Sequence, residues 1–222
     1  GESVEDTARV MSRYVDAIMI RCFEHDTMMT LAANATVPVI NALTNRSHPC
    51  QLMADLLTMI EYHGPLAGQT VAWLGDGNNV AASWVEAAAL FGFQLRMACP
   101  HNYAPPVELL AWARANGGDI ILTEDVAEAV DQVQSVVTDV WVSMGQEGGS
   151  QQQDLAAYQV NEQVMKRAAG DAIFMHCLPA KRGLEVSAAV IDGPQSVVFD
   201  EAENRLHAQK AILAWCVAGN ER

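Results

Sequence analysis

Positive charge is scarce in this chain. Its 222 residues hold 13 lysines and arginines against 27 aspartates and glutamates, a formal net charge of -14. A nucleic-acid partner needs a basic face to neutralise phosphates, so that class is excluded. An anionic membrane surface is excluded on the same ground. Small anionic substrates remain, because a few arginines make a local positive pocket within an acidic protein. Cysteine is sparse too. Cys22, Cys50, Cys99, Cys177 and Cys216 are odd in number, widely spaced and without a C-x-x-C pair. That argues against a disulfide framework or a zinc site and for a reducing, cytoplasmic setting. No apolar run is long enough to cross a bilayer. The opening Gly1-Glu2-Ser3-Val4-Glu5-Asp6 is acidic and lacks the basic-then-apolar pattern of a secretory leader. A start at Gly1 fits either processing or a native N-terminus outside these residues.

What the chain does have is apolar residues, at 50%, enough for a sizeable core. Length allows one large domain or two small ones. Short apolar runs predict strands at Ala17–Arg21, Val37–Leu43, Thr70–Gly75, Gln94–Cys99, Asp119–Thr123, Ser135–Val140, Ala172–Cys177 and Ser196–Phe199. Helical patterns lie between them at Val4–Tyr14, Pro49–Tyr62, Asn79–Phe91, Val107–Ala115 and Ala202–Val217. Ser3 followed by Asp6 predicts a capped start for the first helix. Such alternation predicts an α/β fold, with parallel sheets covered by helices on both faces. Gly64, Pro65 and Gly68 cluster after a long helix and suggest a break. The expectation is two parallel-sheet α/β domains, residues 1–64 and 65–201, with the final helix, 202–222, packing back on the first. Gly148-Gly149-Ser150-Gln151-Gln152-Gln153 reads as a flexible loop, a candidate lid. There is no internal repeat.

Several residues stand where ligands collect, at strand ends and helix starts. Gly75-Asp76-Gly77-Asn78-Asn79 follows a strand and opens a helix, so glycines admit close backbone approach and the helix N-terminus favours an anion. As a dinucleotide fingerprint it fails, because Val80 stands where the third glycine belongs. A tight turn with an asparagine cap is the plain alternative. His48 precedes Pro49 at a helix start, and Gln51 three residues on shares its first turn. Taken alone, His48 reads as a cap or surface residue. Arg21 reads as a solvated strand end, Asp139 as a cap or salt-bridge partner, Cys177 as a buried small apolar residue, and Arg205 as an exposed helical arginine.

The order of four segments changes the weighting. His48-Pro49-Cys50-Gln51, Asp139-Val140-Trp141-Val142-Ser143-Met144-Gly145, His176-Cys177-Leu178-Pro179 and Glu203-Asn204-Arg205 together resemble the ornithine carbamoyltransferase family across essentially the whole chain. The resemblance implies transfer of a carbamoyl group from carbamoyl phosphate to the δ-amine of ornithine, without metal or organic cofactor. It implies that Arg21 binds carbamoyl phosphate and that His48, Gln51 and Arg205 contact the carbamoyl group. Leu178 would offer its backbone carbonyl to the carbamoyl NH2. Asn79, Asp139, Ser143 and Met144 would hold ornithine, with Asp139 on the α-ammonium. Cys177 would lie beside the reacting amine with no covalent role, and His176 would be structural. A homotrimer, with sites near subunit contacts, is also implied.

The chain departs from the family pattern in one respect. The Ser-Thr-Arg-Thr-Arg run that holds the phosphate is not among these residues, and Thr44-Asn45-Arg46-Ser47 does not replace it. The expectation is therefore an incomplete first domain, with apolar surface left uncovered, and weak activity from these residues alone. Rival readings are a carbamoyltransferase with another amine acceptor, a non-catalytic binding module of the same descent and, more distantly, a nicotinamide-dependent dehydrogenase.

Overall fold

The computed structural model describes residues 1–142 and 150–218. The first part begins with α1 (Val4–Met11), where Ser3 Oγ accepts from the Asp6 N–H. Strands β1 (Ile18–Arg21) and β2 (Val39–Leu43) pair in parallel, and α2 (His25–Asn34) connects them. Ala8, Ile18 and Leu31 make their small core. Tyr14, Met19, Phe23 and Met29 are exposed beside it. Then α3 (Pro49–His63) starts with proline at its first position and stops at Gly64, whose φ of 79° suits a residue without Cβ.

The second part is a five-stranded parallel sheet. Its strands are β3 (Thr70–Leu74), β4 (Gln94–Ala98), β5 (Asp119–Thr123), β6 (Ser135–Thr138) and β7 (Ile173–Met175), in the spatial order β5-β4-β3-β6-β7. Helices cover both faces: α4 (Asn79–Phe91), α5 (Val107–Ala115), α6 (Val126–Val130), α7 (Gln151–Leu155), α8 (Glu162–Met165) and α9 (Ala188–Ile191). Burial follows the period of two that a strand imposes. Val71 and Trp73 of β3 join the core shared with α3 and α4, while Ala72 and Leu74 join the opposite core with Tyr158 and Ile191. Trp84 and Phe93 meet edge to face at 5.8 Å.

The final helix, α10 (Val198–Ala218), lies along α3. Asn204 Nδ2 ties the two by donating to Thr58 Oγ1 at 3.0 Å and Glu61 Oε2 at 2.7 Å. The expected strand Ser196–Phe199 does not form. Ser196 makes one isolated bridge to Phe174, and α10 already begins at Val198. Arg205 accordingly sits in the second turn of α10 rather than at its start. Helix α2 has no counterpart in the sequence reading.

Direction reverses between β3 and β6. From β3 the chain steps outward to β4 and β5, then crosses back to β6 and β7 on the other side of β3. The carboxyl ends of β3 and β6 flank a topological switch point, the place where parallel sheets hold ligands. Gly75 to Asn79 leave β3 there, Asp139 leaves β6, and Cys177 follows β7.

Candidate active site

At the end of β6, Asp139 is buried and accepts three hydrogen bonds. Its Oδ1 accepts from the Val140 N–H at 2.7 Å and from the Cys177 thiol at 3.1 Å, and its Oδ2 accepts from Asn78 Nδ2 at 2.8 Å. Asn78 is itself pinned. Its Oδ1 caps α4, accepting from the N–H groups of Val80 at 2.9 Å and Ala81 at 3.1 Å. The cap is thus Asn78, and the neighbouring Asn79 donates from Nδ2 to the Thr44 carbonyl at 2.8 Å, joining the second part to the loop before His48. Gly77 is bare for a different reason from the one expected. A Cβ there would lie 2.5 Å from Tyr103 O and Pro105 N, so the close approach is to the chain's own loop.

Burial, reinforced by the Asp139 carboxylate, pushes the Cys177 thiol well above its ordinary range. At neutral pH it is a protonated donor, not a thiolate nucleophile. Burial, with Asp139 adding repulsion, also raises the Asp76 carboxyl to about 6. The next residues turn sharply. Leu178 has a φ of 53° and precedes a cis bond to Pro179. Its N–H donates to His176 Nδ1 at 2.9 Å, which leaves the ring proton on Nε2, 3.4 Å from Glu185 Oε1. His176 and Glu185 are both fully buried. Asp139, His176 and Cys177 bring donor atoms of metal-ligand type within 4.8 Å of one another. Internal hydrogen bonds already engage all three side chains.

His48, at the N-cap position of α3, makes no side-chain cap hydrogen bond. Its backbone N–H donates to Ser83 Oγ at 2.7 Å, and its buried Nδ1 has no partner among the described residues. Burial first, then the charges of Arg205 and Arg21, lower its pKa from 6.5 to about 4. The imidazole is neutral at physiological pH, with both cations near enough to act on it. Gln51 accepts from Arg205 Nη1 and donates to Asp55 Oδ1 at 2.7 Å and to Glu201 Oε1 at 3.1 Å. Glu201 Oε2 accepts from the His176 N–H at 2.8 Å. A continuous path therefore runs from Arg205 through Gln51, Glu201 and the His176 backbone to Cys177, Asp139 and Asn78.

Of the residues singled out by sequence, Gln51, Asp139, Cys177 and Arg205 lie on this path; Leu178 joins it through His176 Nδ1 and His48 through its carbonyl, which accepts from the Gln51 N–H at 3.1 Å, while the side chain of Asn79 turns away to Thr44. Arg21, exposed at the end of β1, reaches it only through its charge on His48. Ser143 and Met144 lie outside the described residues, as do Gly148 and Gly149 of the candidate lid loop, whereas Gln151–Gln153 of that loop form the first turn of α7 and not a flexible loop. Asp55, Asn78, Glu185 and Glu201 were missed. Asp55 carried a signal, a carboxylate four residues after Gln51 between Ala54 and Leu56 on an apolar helix. A cleft of about 650 Å³ opens beside Asn78 and Asn79, between the Asn45-Arg46 turn and the starts of α4 and α5, and none of His48, Gln51 or Arg205 lines it.

The model of the aspartate/ornithine carbamoyltransferase carbamoyl-P binding domain matches residues 1–61, and that of the Asp/Orn binding domain matches residues 67–216. The first match runs from residue 1 and does not show the incomplete first domain that the sequence reading expected. Ornithine carbamoyltransferase of Bradyrhizobium diazoefficiens is 62% identical over 97% of this chain and 71% of that protein. The enzyme of Rhodopseudomonas palustris strain BisA53 is 60% identical over 97% of the chain and 70% of that protein. Among solved structures, ornithine carbamoyltransferase from Pyrococcus furiosus superposes with a TM-score of 0.94 at 48% identity, covering 99% of this chain and 72% of that one. That from Burkholderia thailandensis gives 0.90 at 48%, covering 99% and 71%. With residues 1–61 and 67–216 matched in order and identity this high, the chain belongs to the aspartate/ornithine carbamoyltransferase family.

Proposed function

We propose that this protein transfers the carbamoyl group of carbamoyl phosphate to the δ-amine of ornithine, giving citrulline and phosphate. The observation that carries the reading is the meeting of Arg205, Gln51 and His48 with Asp139 and Cys177 around one switch point. The relatives at 62% and 60% identity, both ornithine carbamoyltransferases, support it.

In this reading the amine nitrogen attacks the carbonyl carbon and a C–N bond forms, the C–O bond to phosphate breaks with its electron pair leaving on phosphate, and the surplus proton of the amine departs with that phosphate. The protein supplies orientation and charge stabilisation. Arg21, Arg205 and a neutral His48 donate to the developing oxyanion and to phosphate. A neutral imidazole keeps one N–H for this task and adds no third positive charge to the cluster. Gln51 Oε1 and the Leu178 carbonyl accept from the carbamoyl NH2. Asp139 takes the α-ammonium of ornithine, a charge-assisted partner fixed by Asn78 and Val140. Asn79, Ser143 and Met144 complete the amino-acid side. Cys177, protonated, borders the amine and makes no covalent bond to substrate.

The division into residues 1–64 and 65–201, with 202–222 returning to the first part, belongs to the same proposal, and the packing of α10 on α3 supports it. So do a homotrimer, which sedimentation tests directly, a place in arginine synthesis and a cytoplasmic setting. No described helix is long and apolar enough to cross a membrane. Product analysis with carbamoyl phosphate and a panel of amines tests the substrate. Ornithine is expected to be carbamoylated in preference to lysine, putrescine and aspartate. Preference for another amine would replace ornithine in the reading while leaving the donor side intact.

A further inference from the structure

The contacts of Gln51 leave its amide one orientation. Both N–H groups on Nε2 are occupied inside the protein, by Asp55 Oδ1 and Glu201 Oε1, and Oε1 accepts from Arg205. A guanidinium has only donors to offer, and the Asp55 and Glu201 oxygens that face Nε2 act as acceptors. Turning the amide over would set donors against Arg205 and an acceptor against two carboxyl groups. Gln51, Asp55 and Glu201 are each 1% exposed, so water does not replace a lost partner.

The carboxyl pair is arranged to accept. Glu201 takes N–H groups on both oxygens, from Gln51 and from the His176 backbone. Asp55 takes one, and its Oδ2 is buried with no donor among the described residues. Burial pushes both groups above the usual carboxylate range, so the pair retains a proton at neutral pH. The two carboxyls share that proton. The pair then carries one negative charge against the single positive charge of Arg205.

We propose that Asp55 and Glu201 are positioning residues that set specificity for the transferred group: by occupying both N–H groups of Gln51 they turn its carbonyl oxygen toward the ligand, so the pocket selects a donor bearing NH2. The proposal rests on the carbamoyl-transfer reading and deepens it. A fixed, nearly buried acceptor gains a hydrogen bond from NH2, is left unpaired by a methyl group, and repels an oxygen anion. Neither acid needs to touch the substrate, because each acts through Gln51.

The test compares binding of carbamoyl phosphate and acetyl phosphate, which carries methyl in place of NH2, to the full-length gene product. Wild type is expected to prefer carbamoyl phosphate by at least about 100-fold. Glu201→Gln brings an N–H where both oxygens must accept, and Asp55→Leu removes an acceptor outright. Each should free the Gln51 amide and lower the preference by about tenfold or more. Asp55→Asn keeps an acceptor for Gln51 and an N–H toward Glu201, imitating the protonated acid, and should restore the ratio. If Asp55→Leu fails to fold, the nearly isosteric Glu201→Gln carries the test. Equal loss of affinity for both phosphates, with the ratio intact, would mean a purely structural role and overturn the proposal. A wild type without preference for carbamoyl phosphate would overturn the carbamoyl-transfer reading as well, an outcome distinct from an intact wild-type preference that survives in the variants.

Discussion

Replacing Asp139 by asparagine removes one charge and almost no volume, so its cost is set by the groups that face the side chain. Asp139 accepts three hydrogen bonds, from the Asn78 amide, the Val140 N–H and the Cys177 thiol. Asn78 cannot turn over to adapt, because its oxygen caps α4 through Val80 and Ala81. One orientation of the new side chain therefore sets an NH2 against the Asn78 NH2. The other sets it against the Val140 N–H and the thiol. At least one buried hydrogen bond to a charged group is lost, worth ~1.5–3 kcal/mol. For a chain of this size that lowers Tm by roughly 3–10 °C. The effect on substrate is larger and selective. Loss of the charged partner for an ammonium costs roughly 2–4 kcal/mol, so KM for ornithine should rise by about 30- to 1000-fold. KM for carbamoyl phosphate should stay within about threefold, since no donor-side contact changes. Initial rates of citrulline formation with each substrate varied in turn, beside a melting curve, separate the two effects. A lowered Tm with an unchanged ornithine KM would make Asp139 a brace for Asn78 and remove it from the substrate site.

The same geometry sets further expectations. His48→Ala should lower kcat by about 10²- to 10³-fold if the imidazole acts mainly on the oxyanion; loss of stability with normal kcat would favour a purely structural histidine. The His48 ring should stay neutral in NMR titration down to a pH of about 4, and a midpoint near 6.5 would contradict its burial. The unfolded chain binds that proton first, so acid favours unfolding. Relative to His48→Gln, wild type should lose about 3 kcal/mol of stability as pH falls from about 6.5 to about 4, and nothing above that range. Gly77→Ala forces a methyl group onto Tyr103 O and Pro105 N and should cost at least about 2 kcal/mol in denaturant unfolding; a neutral result would mean that the 101–105 segment yields freely.

The sheet was legible because its strands are short, apolar and separated by helical patterns. Thr70–Leu74, Gln94–Ala98 and Asp119–Thr123 lie where those runs predict them. Pro49 and Gly64 marked the ends of α3 in the same way. Helix α2 escaped because, of its ten residues, only Met28 and Leu31 are buried, too few for a clear period. Ser196–Phe199 misled because a short run with three apolar residues fits a strand or a helix start equally, and here Val198 is buried while Phe199 is exposed on α10. At the site, motifs supplied the residue types and strand ends supplied the place. Pairings between Gln51 and Glu201 or Arg205 span about 150 positions in sequence, a distance at which no local pattern operates. Asn78 and Asn79 could not be told apart until the cap was visible.

The stoichiometry of one reaction tests carbamoyl transfer to ornithine most directly. The full-length gene product, given carbamoyl phosphate and L-ornithine, should release citrulline and phosphate in equal amounts, with neither formed when ornithine is omitted and both suppressed in Arg205→Gln. Phosphate released without citrulline, or a product formed equally well in Arg205→Gln, would contradict it.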